Sequence, residues 1–135
     1  MEQAVKGSAV TGSLGEVGDR VLVIVGHDTN ISNVAGMLGI DWLLDGYQRD
    51  DTPPGSALVF ELWDQGETGI AVSTYYVSQS LEQMRKALPL TPNSPPLRSP
   101  IFVPGCSTAD QKMTCPWNLF QHTIEKAVDP AFVKP

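Results

Sequence analysis

The part of this 135-residue chain best equipped for chemistry is the stretch Gly26-His27-Asp28-Thr29-Asn30. An imidazole can hold an oxyanion, and a neighbouring carboxyl can give or take a proton. An unperturbed aspartic acid titrates near pH ~3.9, so an aspartate that donates protons works best in acid or in surroundings that favour its neutral form. Taken alone, the pair also has a plain structural use, a carboxylate capping a helix beside a hydrogen-bonded histidine. Its setting in the chain is what gives it interest.

The preceding run, Val21-Leu22-Val23-Ile24-Val25, is continuously apolar and mostly β-branched, which predicts a strand buried on both faces. Gly26 ends it, and Thr29 or Asn30 can cap a helix whose apolar positions are Ile31, Val34, Ala35 and Leu38. Gly39 stands where a helix C-terminus often needs a left-handed residue. Open α/β sheets bind ligands where strands turn into helices, and a helix N-terminus favours anions such as phosphate.

The rest of the chain supplies a frame for this unit. A short helical piece is expected at residues 2–6, and a polar loop at 45–55 contains Pro53-Pro54-Gly55. Residues 57–63 and 70–77 read as an antiparallel hairpin across a turn at 64–69. Ser80 with Gln83 resembles a capping box for a helix at 81–87. Five prolines between Leu88 and Pro100 predict an extended surface connection, and Ile101-Phe102-Val103 reads as one more short strand. Pro116 fits the first turn of a last helix, with Leu119, Phe120, Thr123, Ile124 and Ala127 as its buried stripe and Pro130 as its stop. The fold class is α/β: a central strand-turn-helix unit, a β-hairpin and a C-terminal helix. It reads as incomplete, because a strand buried on both faces needs neighbouring strands and crossover helices that the chain does not supply. Residues 1–20 read as a remnant of a preceding element and a linker.

Composition narrows the function classes. A net charge of −6 argues against nucleic acid, which is bound by clustered Lys and Arg. No apolar run approaches the ~20 residues of a membrane span, so no membrane partner is expected. The N-terminus lacks the basic and apolar segments of a signal peptide. Cys106 and Cys115 enclose eight residues rich in Ser, Thr, Asp and Lys, a surface loop that a disulfide could close, with two free thiols as the alternative. Two Cys without CxxC spacing or a nearby His make a poor metal site, so no metal is expected.

Several blocks in order carry a resemblance. Val23-Ile24-Val25-Gly26-His27-Asp28-Thr29-Asn30 resembles the His-Asp motif of histidine acid phosphatases, notably the bacterial phytase and glucose-1-phosphatase branch. The similarity continues through Asp51-Thr52-Pro53-Pro54-Gly55, Leu58-Val59-Phe60-Glu61-Leu62-Trp63, Ser80-Leu81-Glu82-Gln83-Met84-Arg85 and Pro104-Gly105-Cys106 with Cys115. The resemblance implies that residues 21–135 are the C-terminal segment of a histidine-phosphatase-like three-layer sandwich. It implies His27 as a phosphate contact, Asp28 as the proton donor to the leaving oxygen, and Thr29 and Asn30 as substrate contacts. It further implies a Cys106–Cys115 disulfide, a periplasmic or secreted setting, no cofactor and no metal. The implied substrate is a phosphate monoester such as phytate or a sugar phosphate.

In that family a histidine within Arg-His-Gly-x-Arg-x-Pro attacks phosphorus and forms a phosphohistidine, which is nucleophilic catalysis in two steps. No Arg-His-Gly occurs here, and the chain's two histidines are His27 and His122. His122 reads as an ordinary residue of the last helix, and none of Arg20, Arg49, Arg85 and Arg98 sits in a comparable motif. The chain alone is therefore expected to lack phosphatase activity, with the missing N-terminal half of the enzyme as its partner. The alternatives are a non-catalytic phosphate-binding or interaction domain and a truncated fragment without its own function. Trp42, Trp63 and Trp117 are expected in or at the edge of the core, and Glu61 facing solvent.

Overall fold

The computed structural model describes residues 1–109 and 112–133. Helix α1 spans Glu2–Lys6 and α2 spans Asp28–Leu38. Strands β1, Ala57–Asp64, and β2, Ile70–Ser78, form the expected hairpin, paired from Ala57↔Val77 to Asp64↔Ile70 across a turn with one 3-10 segment at Gly66–Thr68. Helix α3, Leu81–Arg85, is closed by the expected capping box: Gln83 N–H donates to Ser80 Oγ at 3.1 Å, and Ser80 N–H to Gln83 Oε1 at 2.8 Å. Strand β3, Leu97–Pro100, strand β4, Cys115–Pro116, and helix α4, Trp117–Ala127, complete the frame.

Every pairing in the sheet runs through β2. It holds β1 on one edge, and its other edge is shared by β3 at residues 75–78 and β4 at residues 71–72, all antiparallel. Side chains alternate across the sheet. Leu58, Phe60 and Leu62 of β1 and Val72 and Tyr76 of β2 face a core that also takes in Trp42, Ile101, Val103 and Phe120. Helix α4 packs on β2 and β4, with the Phe120 ring 5.7 Å from that of Phe60, and α2 lies against α4. The Cys106–Cys115 disulfide is present and joins the loop after residue 103 to β4. The centre of the loop it encloses, residues 110–111, lies outside the described residues.

The mixed α/β class stands, with three local differences from the sequence reading. Residues 21–25, expected as a buried strand, belong to no ladder, and their side chains are 78, 52, 75, 74 and 91 % exposed. A ladder needs two segments, and among the described residues the run has no backbone partner: β2 is bonded on both edges by other strands, and nothing pairs with the outer edge of β1. The third strand forms at 97–100, inside the proline-rich connection, and not at 101–103. Pro100 can end that strand because its missing N–H is no loss at a terminus. Ile101 and Val103 are buried as core residues after it, and Ile101 N–H still reaches Thr74 O at 2.9 Å. Helix α4 begins at Trp117 with Pro116 as its N-cap, and of the expected stripe Phe120 is fully buried while Leu119 and Ile124 are exposed.

The tryptophans divide. Trp42 is buried, Trp117 half-buried, and Trp63 is 54 % exposed on the outer face of β1. Glu61, also on that face, is half-buried because Arg98 of β3 binds it at 2.8 Å while lying over the Tyr75 ring.

Candidate active site

The turn into α2 is built by three neighbouring residues. His27 is the N-cap, in extended backbone, and its N–H donates to Asn30 Oδ1 at 2.8 Å. Asn30 thus occupies the third helical position and reaches back to the cap, the reciprocal half of a capping box. Neither Thr29 nor Asn30 is the N-cap itself, as the sequence had suggested, because the helix starts two or three positions earlier, at Asp28. Gly26 is explained by the same contact: a Cβ there would stand 2.9 Å from Asn30 Oδ1. Asp28 Oδ1 accepts from Thr29 N–H at 2.7 Å, which turns the carboxylate toward the free amides of the first turn. The other helix end closes as expected, with Gly39 in the left-handed conformation.

His27 and Asp28 are both exposed, on one wall of an open cleft of about 310 Å³. Gly26 and Ile31 share that wall, and the opposite wall is Thr52, Pro53, Pro54, Gly55 and Ser56. Thr29 and Asn30 are outside the lining, so Asn30 acts on the cleft through the His27 backbone. The structure thus brings together two motif blocks that lie about 25 positions apart. His122 lines a separate surface hollow beside α4, and Arg49 is engaged by Asp41 at 2.8 Å. Among the described residues no group of three His, Cys, Asp or Glu side chains gathers as a metal ion would require.

The facing wall is held from beneath. Trp42 accepts from Asp50 N–H, donates its own N–H to Asp50 Oδ1 at 2.9 Å, and donates its indole N–H to Asp51 O at 3.0 Å. Asp50 adopts a left-handed backbone, φ 59°, a conformation Asp tolerates better than most residues. The Trp42 ring stacks on that of Tyr76, 4.2 Å between centroids and 10° from parallel. Tyr76 in turn donates its hydroxyl to Ser56 Oγ at 2.5 Å. Burial pushes the Tyr76 phenol above the usual tyrosine value, the Ser56 bond works against that, and the Asp51 charge adds to it. Sequence reasoning missed Thr52, Ser56 and their supports. The Pro-Pro-Gly turn with a hydroxyl on each side was the available signal, yet nothing in the sequence said which loop it would face.

A family model described as the histidine phosphatase superfamily (branch 2) matches residues 14–81, half of the chain, and includes both walls of the cleft. The chain belongs to that superfamily. Among curated relatives, the phytase AppA of Escherichia coli is 38 % identical over 112 residues, which is 82 % of this chain and 26 % of the relative. A glucose-1-phosphatase of Salmonella typhimurium is 36 % identical over 111 residues, 80 % of this chain and 26 % of the relative. This histidine phosphatase segment therefore spans about a quarter of the length of the curated relatives it matches. Among solved structures, Hafnia alvei phytase in complex with tartrate superimposes with a TM-score of 0.83 at 38 % identity, covering 98 % of this chain and 33 % of the phytase. The same enzyme in complex with myo-inositol hexakis sulphate gives a TM-score of 0.80 over 95 % of this chain and 31 % of the phytase.

Proposed function

We propose that this chain supplies the proton-donating and phosphate-contacting half of an acid phosphomonoesterase site. The observation that carries the reading is the placement of His27 and Asp28 at the N-terminus of α2, open to the cleft walled by residues 52–56. In this reading Asp28 protonates the ester oxygen as the P–O bond breaks, and His27 donates to a non-bridging oxygen of the phosphoryl group. The positive end of α2 favours that anion, and Thr29 and Asn30 act from behind the lining, the Thr29 N–H holding the Asp28 carboxylate and Asn30 the His27 backbone. A nucleophilic histidine with its arginines comes from polypeptide outside this chain, which contains no Arg-His-Gly. The exposed run at 21–25 supports that partnership, because an unpaired apolar strand sequence gains most from a neighbouring strand. Phytate is the favoured substrate and a sugar phosphate the next. The disulfide fits a periplasmic or secreted setting.

The test is a chimera in which residues 21–135 replace the matching region of the Escherichia coli phytase. It should hydrolyse p-nitrophenyl phosphate and phytate at pH ~5, and Asp28→Asn should lower kcat by roughly 10²–10⁴-fold, the usual worth of a general acid. The chain alone should show no turnover. A chimera indifferent to Asp28→Asn, or turnover by the isolated chain that Asp28→Asn abolishes, would defeat the proposal.

A further inference from the structure

We infer that Tyr76 is a positioning residue for the cleft, fixing the wall opposite Asp28 through its hydroxyl bond to Ser56. The inference rests on the proposed role of the His27–Asp28 cleft and adds what sets its width. The wall is a short loop carrying Pro53-Pro54-Gly55, closed by Ser56 N–H donating to Pro53 O at 3.1 Å. Its start is tied down at Asp50 and Asp51 by Trp42. Its end is tied at Ser56 by Tyr76, which is fully buried and stacked on the same Trp42 ring. Both ends of the wall thus hang on one aromatic pair beneath it. Pro53 and Pro54 stiffen the segment between those ties, so a shift at Ser56 moves the wall as a unit and is not absorbed locally. Ser56 lines the cleft, so the hydroxyl pair is the point where the core touches the site. A phosphate ester seated on His27 and Asp28 meets this wall on its far side, and a loosened wall admits water and relaxes the ester's orientation.

Tyr76→Phe isolates the claim, since it keeps the ring and its stack and removes the oxygen alone. Ser56→Ala removes the acceptor. The full chain is followed by amide hydrogen exchange, and the chimera with the Escherichia coli phytase is titrated with myo-inositol hexakis sulphate. Loss of one neutral hydrogen bond predicts a rise of roughly three- to tenfold in exchange at Ser56, with the α2 amides of Asn30 and Ile31 unchanged. Affinity for the sulphate ester should fall by a similar factor in each single variant, and the double variant should be no weaker than either. Unchanged exchange at Ser56 in both variants would overturn the inference. Raised exchange with undiminished affinity would overturn it too, since the wall would then not matter to the ligand. If the parent chimera fails to bind the sulphate ester, the proposed site role falls instead, and the exchange measurement still decides whether Tyr76 holds the wall.

Discussion

Replacing Gly26 with alanine probes the construction of the turn into α2 more sharply than removing either polar residue beside it. A Cβ at position 26 would lie 2.9 Å from Asn30 Oδ1, 3.3 Å from its Cγ and 3.4 Å from its Cβ. The amide oxygen is the free end of a side chain, so rotation relieves the clash at little steric cost. That rotation, however, gives up the 2.8 Å bond from His27 N–H. Losing such a cap costs about 1 kcal/mol. Gly26 does not have a positive φ, so alanine also removes unfolded-state freedom and regains about 0.4–1 kcal/mol. Gly26→Ala should therefore leave overall stability within about 0.5 kcal/mol of the parent while releasing the His27 amide to exchange. Asn30→Ala alone should cost about 1 kcal/mol, or roughly 3–5 °C in Tm for a domain of this size. Once Asn30 is alanine there is no oxygen to displace, and adding Gly26→Ala should stabilise by about 0.4–1 kcal/mol. The coupling between the two positions is then about 1 kcal/mol, measured by urea denaturation of all four proteins. Additivity within about 0.5 kcal/mol would refute the account of why glycine stands before the histidine.

Three further outcomes follow from the frame. Reducing the Cys106–Cys115 bridge, or replacing both residues with serine, should cost about 2.5–3 kcal/mol by the loop-entropy relation for a separation of 9, read as a lower urea midpoint. Burial raises the Tyr76 phenol, so its folded form holds a proton that the unfolded chain releases above pH ~10. Stability should fall as pH rises beyond that point, and Tyr76→Phe should make the fall shallower in pH-dependent denaturation. Arg98→Ala should cost no more than about 1–2 kcal/mol although it removes both an ion pair and a ring contact, because the pair is 44 % and 28 % exposed. A loss above 3 kcal/mol would show that the outer sheet face carries more of the fold than its exposure implies.

What could be read from the sequence tracks the range of the interactions involved. The hairpin was legible because alternation and a Gly-containing turn are local, and β1 and β2 formed within a residue of the expected bounds. The capping box of α3 and the left-handed Gly39 were legible for the same reason. Residues 21–25 carry as strong a strand signal as any in the chain, yet they pair with no other segment among the described residues, since a ladder is a property of two segments. The third strand was displaced into a proline-rich stretch because β2 selects its partner by register, and Leu97 to Pro100 present the matching groups. At the candidate site, residue types and motif order pointed to His27 and Asp28, and the structure places both on one wall of a cleft. The opposite wall was hidden, because its position depends on Trp42 and Tyr76, two aromatics 34 positions apart whose contact no periodicity announces.

The arrangement of the sheet around one strand has a kinetic consequence. With β1, β3 and β4 all bonded to β2 and not to one another, none of the later pairings can precede the central strand. The β1–β2 hairpin closes a five-residue connection and can form within microseconds, whereas β3 and β4 must each close a longer loop onto an edge that the hairpin has already prepared. Refolding is then expected to be ordered, with hairpin positions such as Val72 giving high φ-values and β3 and α4 positions low ones. High φ-values in α4 would place the nucleus elsewhere. Under this order the walls of the cleft are among the last features to assemble, since Ser56 waits on Tyr76 and Tyr76 on the packing of Trp42.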